Sequence, residues 1–195
     1  MGVGILIGVV MAGGKATRFQ RRVEKGILEV GGRTLLERAA DALKVPRIDR
    51  VVIATTASTL GTERLARDLE LEVFRTKGAG YHDDVIELID SFSHFISVNV
   101  DVPFVNKEHI SRLVTIEQRD SIAGVVPSRL AVRPPDKDSL MVGTNGEEMI
   151  WAGMNFVTIN PETDFLVFED PLLTLNINNE ADLEFARRFA SERGI

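Results

Sequence analysis

Residues 5–18 have the sequence ILIGVVMAGGKATR, an apolar run followed directly by a glycine-rich basic loop. The apolar part, residues 5–11, is continuous and rich in branched side chains, which is typical of a strand buried on both faces of a parallel sheet. Glycines at the carboxyl end of such a strand let backbone N–H groups approach a polyphosphate, and open α/β sheets bind ligands at that edge. This stretch therefore predicts an anion site at the end of the first strand.

The remainder of the first 126 residues repeats the change from apolar run to amphipathic segment. Strands are predicted at residues 51–54, 71–74, 95–100 and 122–126, and helices at residues 34–43, 62–69, 81–91 and 107–116. Strands that alternate with helices indicate a doubly wound α/β sheet. We therefore expect a three-layer, Rossmann-like and mostly parallel architecture.

The pattern changes in the second half of the chain. Residues 133–138 form a predicted loop, and Asn145-Gly146 is a hairpin-turn signal between strands at 140–142 and 149–151. A further strand is expected at residues 153–159, and Asn179 is the predicted N-cap of a last helix. These features predict a β-rich insertion on the same sheet, within a single domain that covers residues 1–195.

Composition excludes several classes of function. The 195 residues are 44% hydrophobic and 27% charged, enough to fill a core, and the net charge of −6 disfavours general nucleic-acid binding. The absence of cysteine excludes disulfide scaffolds, zinc-thiolate sites, iron–sulfur clusters and thiol catalysis. The apolar run at residues 4–12 is too short to span a membrane, and no basic segment precedes it, so we expect a cytoplasmic protein with no membrane span.

The glycine loop does not match the standard phosphate-binding motifs. A P-loop would need glycine and a hydroxyl residue where Val9 and Ala16 stand, and a dinucleotide fingerprint would need G-x-G-x-x-G. Five basic residues crowd the loop and its continuation: Lys15, Arg18, Arg21, Arg22 and Lys25. This concentration of positive charge in an acidic chain favours an anion site, and the alternative is a solvated surface loop.

The sequence from Ala12 to Arg18, with Lys25 beyond it, resembles the signature of nucleotidyltransferases with a glycosyltransferase-A-like fold. This family includes sugar-nucleotide pyrophosphorylases and molybdenum-cofactor guanylyltransferases. The resemblance implies the nucleotide-diphospho-sugar transferase type of fold and a loop that wraps a triphosphate. It assigns phosphate binding to Ala12, Gly13, Gly14, Lys15, Thr17, Arg18 and Lys25. Ala16 and Gly26 depart from the family, which usually has glycine and proline there.

Asp101 ends a predicted buried strand, at the ligand edge of the sheet, and Pro103 follows it. A carboxylate without a protein partner at this place is costly unless it meets a cation, and Mg²⁺ with triphosphate suits it. The alternative is a loop aspartate that closes an Asx-turn. The segment is similar to the strand-Asp-x-Pro motif of the family, in which the aspartate is a metal ligand.

Two further segments gain a role from the same resemblance. Asn178, or alternatively Asn176, would complete the metal site. The alternative is that the asparagines of this segment serve only in helix capping. The glycine-containing stretch at residues 76–84 would recognise the base, through Thr76, Gly78, Gly80, Tyr81 and Asp84. Its alternative is an ordinary helix start, since acidic residues are favourable in any first turn.

The sequences of three segments are more similar to one branch of the family. Gly80-Tyr81 with Asp84, the stretch from Trp151 to Asn155, and the Asn-Ile-Asn segment resemble the archaeal adenosylcobinamide-phosphate guanylyltransferases. This resemblance covers residues 10–188 and implies transfer of GMP from GTP to a corrinoid phosphate, with Mg²⁺ as cofactor. It places Trp151, Gly153 and Asn155 at the acceptor, although a lone tryptophan can equally be core packing.

Other activities stay open at this point. Guanylyltransferases acting on other acceptors, cytidylyl- or uridylyltransferases acting on sugar phosphates, and a non-catalytic nucleotide-binding regulator share these features. Arg18, Lys25 and Asp101 are the predicted catalytic residues, and no general base is needed because the acceptor phosphate is already anionic. We expect Lys25 to be an exposed loop lysine that reaches the phosphates only when GTP binds. The oligomeric state, a homodimer included, and the motion of the loop at residues 129–138 are undetermined by the sequence.

Overall fold

The computed structural model describes residues 5–14, 16, 18–19, 23–116, 120–143, 146–160 and 162–195. The strands are β1 (Ile7–Met11), β2 (Glu29–Val30), β3 (Arg33–Thr34), β4 (Arg50–Thr55), β5 (Glu72–Arg75), β6 (His94–Asn99), β7 (Ser121–Pro127), β8 (Leu140–Val142), β9 (Glu148–Thr158) and β10 (Thr163–Val167). The α-helices are α1 (Leu35–Ala42), α2 (Leu60–Asp68), α3 (Tyr81–Phe92), α4 (Lys107–Thr115) and α5 (Glu180–Arg193). Single 3₁₀ turns occupy Lys25–Ile27, Ser128–Leu130, Lys137–Ser139 and Pro171–Thr174.

Eight strands form the central sheet, in the order β10-β7-β9-β6-β1-β4-β5, with β8 paired to β9. β1 lies parallel to both β4 and β6, β4 is parallel to β5, and β7 is parallel to β10. β9 is antiparallel to its neighbours β6, β7 and β8. The mostly parallel α/β sheet predicted from the sequence is therefore confirmed, with the β-rich second half built into it.

The second half departs from the prediction in its details. Residues predicted as two strands, 149–151 and 153–159, are the single strand β9, which shifts register opposite Ala123 and Val125. Gly153 allows this irregularity, because its φ of +67° is a conformation that side-chain-bearing residues rarely adopt. The strand β10 and the small β2–β3 hairpin were not predicted. The predicted turn residue Asn145 lies outside the described residues.

The core is divided by the sheet into two layers. The larger layer packs α1, α4 and α5 against one face and includes the fully buried Leu36, Ile96 and Ile110. The smaller layer lies under α3 and includes Leu88 and Phe95. No helix in the described part of the chain is long and apolar enough to cross a membrane.

This topology brings several loops to one edge of the sheet. The carboxyl ends of the parallel strands β1, β4, β5 and β6 point the same way, so the segments after them meet there. Those segments are the glycine loop, the β4–α2 junction at residues 56–59, the stretch at residues 76–80 and the turn at Asp101.

Candidate active site

A cavity of about 950 Å³ opens at the carboxyl edge of the parallel strands and extends along β9 and β7. It brings together most of the residues singled out in the sequence: Gly13, Gly14, Arg18, Lys25, Gly78, Gly80, Tyr81, Asp84, Asp101, Trp151, Gly153, Asn155, Asn176 and Asn178. Ala12 and Thr76 are buried beside it, and their backbone N–H groups donate to the carbonyls of Ala54 and Thr55. Lys15 and Thr17 lie outside the described residues.

Lys25 occupies the centre of the polar end of this cavity. Its Nζ donates to Asp101 Oδ2 and to Asn178 Oδ1, both at 2.8 Å. Only 12% of the Lys25 side chain and 22% of the Asp101 side chain are exposed. The backbone N–H of Ile177 donates to the Asp101 carbonyl at 2.9 Å, which holds the asparagine segment against the end of β6.

This contact corrects two expectations. Asp101 does not lack a protein partner, because the Lys25 ammonium pairs with it. Lys25 is not an exposed loop lysine either, since the 3₁₀ turn Lys25–Ile27 places its side chain at the site with little exposure. The structure brings Asn178 into this cluster, whereas the Oδ1 atom of Asn176 is buried without a hydrogen-bond partner.

A second ion-pair group lines the same cavity. Arg18 donates from Nη1 to Asp136 Oδ2 at 2.6 Å and from Nη2 to Asp138 Oδ2 at 2.8 Å. Asn178 Nδ2 also donates to Asp136 Oδ2, at 3.1 Å, which connects this group to Lys25. Sequence reasoning placed Asp136 and Asp138 in a loop and missed their place in the site, because nothing local indicates a partner 118 residues away.

Thr56 lies between the glycine loop and the segment assigned to the base. Its hydroxyl donates to the Gly13 carbonyl at 3.1 Å, and a Cβ atom at Gly13 would lie 2.6 Å from its methyl group. Gly78 has φ +70°, and a Cβ there would lie 3.1 Å from Thr56. The Gly78 N–H in turn donates to Asp84 Oδ1 at 3.0 Å, so the two loops form one connected surface. Sequence reasoning did not identify Thr56.

Tyr81 and Asn155 line the cavity and form a polar group with the buried Ser97. Asn155 Nδ2 donates to the buried Ser97 Oγ at 3.2 Å. The Tyr81 ring is half exposed, but its hydroxyl end is desolvated, and this burial raises the pKa of Tyr81. A hydrogen bond with Ser97 opposes the rise in pKa, and the nearby Asp101 charge adds to it. Tyr81 therefore stays a neutral phenol at the junction of the two ends of the cavity.

The wall along β9 and β7 consists of Trp151, Asn155, Val157, Ala123 and Thr163. It is called here the acceptor face, because the family resemblance predicts that the acceptor binds there. The Trp151 ring is 36% exposed and lies 6.0 Å from the Phe165 ring, so it is a surface aromatic supported from one side. Gly153 has a packing reason for being glycine, because a Cβ atom there would lie 2.4 Å from Val102 Cγ2. Its predicted role at the acceptor is therefore not needed to explain it.

Comparison with known proteins identifies the family. Residues 8–154 match the MobA-like NTP transferase domain, about three quarters of the chain. The chain belongs to this family. The protein is therefore an enzyme, a nucleotidyltransferase, and its glycine loop, Lys25 and Asp101 fall within the matched region.

One curated relative and two solved structures are similar to the chain. The transferase is 26% identical to an adenosylcobinamide-phosphate guanylyltransferase of Methanocaldococcus jannaschii, over 96% of this chain and 98% of that protein. Its fold is similar to that of a CMP:2-keto-3-deoxy-manno-octonic acid synthetase solved with CTP, with a TM-score of 0.71, 12% identity and coverage of 97% and 99% of the two chains. A 4-diphosphocytidyl-2C-methyl-D-erythritol synthase of Anaerococcus prevotii gives a TM-score of 0.69, 13% identity and 97% coverage of both chains. At such low identity the two structures support the fold alone.

Proposed function

We propose that this transferase moves a guanylyl group from GTP to adenosylcobinamide phosphate, with release of pyrophosphate, in cobalamin biosynthesis. The proposal is supported by the full-length similarity to the Methanocaldococcus jannaschii enzyme. The observation that carries it is the cation held at 2.8 Å from both Asp101 and Asn178, beside a glycine loop and Arg18. These groups suit a metal-bound triphosphate.

The residues at the polar end of the cavity fit Mg²⁺. The two oxygens that now hold the Lys25 ammonium, Asp101 Oδ2 and Asn178 Oδ1, are a carboxylate and an amide oxygen, both of which Mg²⁺ accepts. No group of three or more His, Asp or Glu side chains that could hold a metal occurs among the described residues, so phosphates and water would supply the other ligands. When bound, the ion would neutralise phosphate charge as it develops.

The nucleotide would lie along the loops that Thr56 connects. Gly13, Gly14 and Arg18 would bind the triphosphate, together with Lys25 after it exchanges Asp101 for a phosphate oxygen. Gly78, Gly80 and Asp84 would receive the base. Asp84 already accepts one hydrogen bond from Gly78 and keeps further acceptor capacity, which suits the N–H groups on the guanine edge.

The acceptor would lie on the acceptor face with its phosphate directed at the polar end. An exposed aromatic ring at Trp151 and the Asn155 amide suit a large ring system with polar substituents. A phosphate oxygen of the acceptor would form a bond to the α-phosphorus of GTP while the bond from that phosphorus to the bridging oxygen breaks. The acceptor phosphate is an anion at neutral pH, so positioning and charge neutralisation suffice.

The test is a comparison of nucleotides by thermal shift, followed by a pyrophosphate-release assay. ATP, GTP, CTP and UTP are each added with and without Mg²⁺, and GTP with Mg²⁺ should stabilise most. A tenfold preference corresponds to about 1.4 kcal/mol at saturating ligand. Preference for CTP or UTP would contradict guanylyl transfer. Pyrophosphate should appear only when a corrinoid phosphate is added, and release with water alone would indicate a hydrolase instead.

A further inference from the structure

The position of Lys25 depends on a contact made by its neighbour in the chain. Lys25 begins a 3₁₀ turn of three residues, a structure too short to fix its own place. Its ammonium nevertheless reaches the Asp101 and Asn178 oxygens of distant segments, with little exposure. A contact from outside the turn must therefore fix its position relative to the edge of the sheet.

Glu24 makes that attachment at the start of α2. Its Oε1 accepts from the Gly61 N–H at 2.9 Å, and its Oε2 accepts from the Thr62 N–H at 2.6 Å. These N–H groups belong to the second and third helical residues, which an N-cap side chain normally satisfies. The N-cap residue, Thr59, makes no cap bond to α2, because its hydroxyl bonds to the Thr56 backbone. Glu24 therefore caps this helix from another part of the chain.

Two glycines bring the turn and the helix into close contact. A Cβ atom at Gly26 would lie 2.5 Å from the methyl group of Thr62, so only glycine lets the turn lie flat against α2. A Cβ atom at Gly61 would lie 3.1 Å from Glu24 Oε1. The residues on both sides of Lys25 thus contact the same first turn of α2.

The first turn of α2 is itself firmly attached. The Glu63 carboxylate pairs with Arg67 at 3.0 Å and with Arg75 of β5 at 2.7 Å. The adjoining Thr56 hydroxyl donates to the Gly13 carbonyl of the glycine loop. The β4–α2 junction therefore supports both the glycine loop and the turn that carries Lys25.

We propose that Glu24 is a positioning residue that places the Lys25 ammonium for phosphate binding, an inference that rests on the proposed function. The charge of Glu24 and its position predict opposite effects on GTP binding. A carboxylate near a triphosphate repels it, so a purely electrostatic role predicts tighter GTP binding when Glu24 is neutralised. A positioning role predicts weaker binding, because the released turn no longer holds Lys25 at the site.

The experiment is a double-mutant cycle on the full chain, with GTP and Mg²⁺ as the probe. We expect Glu24→Ala to weaken GTP affinity and kcat/KM by about tenfold, as loss of a supporting contact commonly does. Glu24→Gln should fall between Ala and wild type, because it keeps one acceptor oxygen. The variant combining Glu24→Ala with Lys25→Ala should be no worse than Lys25→Ala alone, since Glu24 acts through the lysine.

The outcomes separate this inference from the proposed function. If Lys25→Ala leaves GTP affinity and turnover unchanged, the phosphate role of Lys25 fails, and the role of Glu24 fails with it. If Lys25→Ala is impaired while Glu24→Ala and Glu24→Gln are not, or if the two losses multiply, only the positioning role is overturned. Arg64→Ala, which changes an exposed side chain of α2 beyond its first turn, is the control for helix stability and should keep wild-type affinity.

Discussion

At the scale of single residues, the Lys25 ammonium organises the polar end of the cavity. It donates hydrogen bonds to the Asp101 carboxylate and to the Asn178 amide oxygen. A carboxylate at the end of a buried strand is stable only with such a partner, since an unpaired charge there is costly. The lysine thus stabilises this carboxylate and lies beside the glycine loop.

Asp101→Asn tests this arrangement. We expect turnover with Mg²⁺ to fall by about a hundredfold or more, because the proposed metal site loses its only charged protein ligand. The ligand-free protein should lose about 1–2 kcal/mol, since a charge-assisted hydrogen bond becomes a neutral one. Thermal unfolding and a pyrophosphate-release assay measure the two effects. Near-normal turnover at ordinary Mg²⁺ concentrations would show that Asp101 only closes a turn, and would make Asp83 and Asp84 the next candidates.

At the scale of elements, the segment that carries Asp136 and Asp138 would compete with the triphosphate for Arg18 under the proposed function. Both carboxylates pair with the guanidinium, and Asp136 also accepts from Asn178. These side chains are substantially exposed, so each pair contributes only about 0.2–1 kcal/mol. Under the proposed function, GTP would nevertheless have to displace both carboxylates to bind Arg18.

The variant with both Asp136→Asn and Asp138→Asn should therefore bind GTP more tightly. The loss of two competing pairs predicts an affinity gain of about two- to tenfold, measured by calorimetry at low salt. The gain should shrink as salt is raised, because exposed charges are screened. Asp68→Asn is the matched control: it removes a charge from the exposed end of α2 and should leave affinity unchanged. A weaker GTP affinity in the double variant would instead make these carboxylates part of the binding site.

The elements themselves were largely predictable from the sequence. The change from continuous apolar runs to amphipathic segments of helical period located β1, β4, β5, β6 and β7 and the helices between them, because most of these strands are buried on both faces and the helices on one. The pattern could not show that β9 enters antiparallel between β6 and β7, since pairing partners are chosen by tertiary packing. The short strand β10 begins with polar residues and lies at the sheet edge, so its apolar signal is weak.

The sequence predicted which residues line the candidate site better than it predicted how those residues contact one another. Gly13, Lys25 and Asp101 were found from their places at strand ends and from a family resemblance. The pairing of Lys25 with Asp101 spans 76 residues, and no local pattern encodes it. Glu24 and Thr56 were missed for the same reason, because each supports the site through a contact with a distant backbone group.

At the scale of the whole molecule, the cavity divides into two halves that different parts of the sheet support. The loops around Thr56 and the Lys25 turn depend on β1, β4 and α2. The acceptor face depends on β7, β9 and β10, with Tyr81 and Ser97 between the halves. Among the described residues that line the cavity, the basic side chains are Arg18 and Lys25, and both lie at its polar end, where they would favour an anion.

Hydrogen exchange should show the two halves responding separately. GTP with Mg²⁺ should slow exchange at residues 12–14, 24–27, 56–62 and 78–84, by up to about a hundredfold at a hundred times the dissociation constant. The same nucleotide should leave the edge strand Thr163–Val167 and the irregular stretch around Gly153 unchanged. Those amides should gain protection only when a corrinoid phosphate is also present. Protection of the edge strand by GTP alone would place the nucleotide on the acceptor face and reverse the proposed assignment of the two halves. The variant Lys25→Ala should show less protection by GTP at residues 12–14 and unchanged exchange in the edge strand.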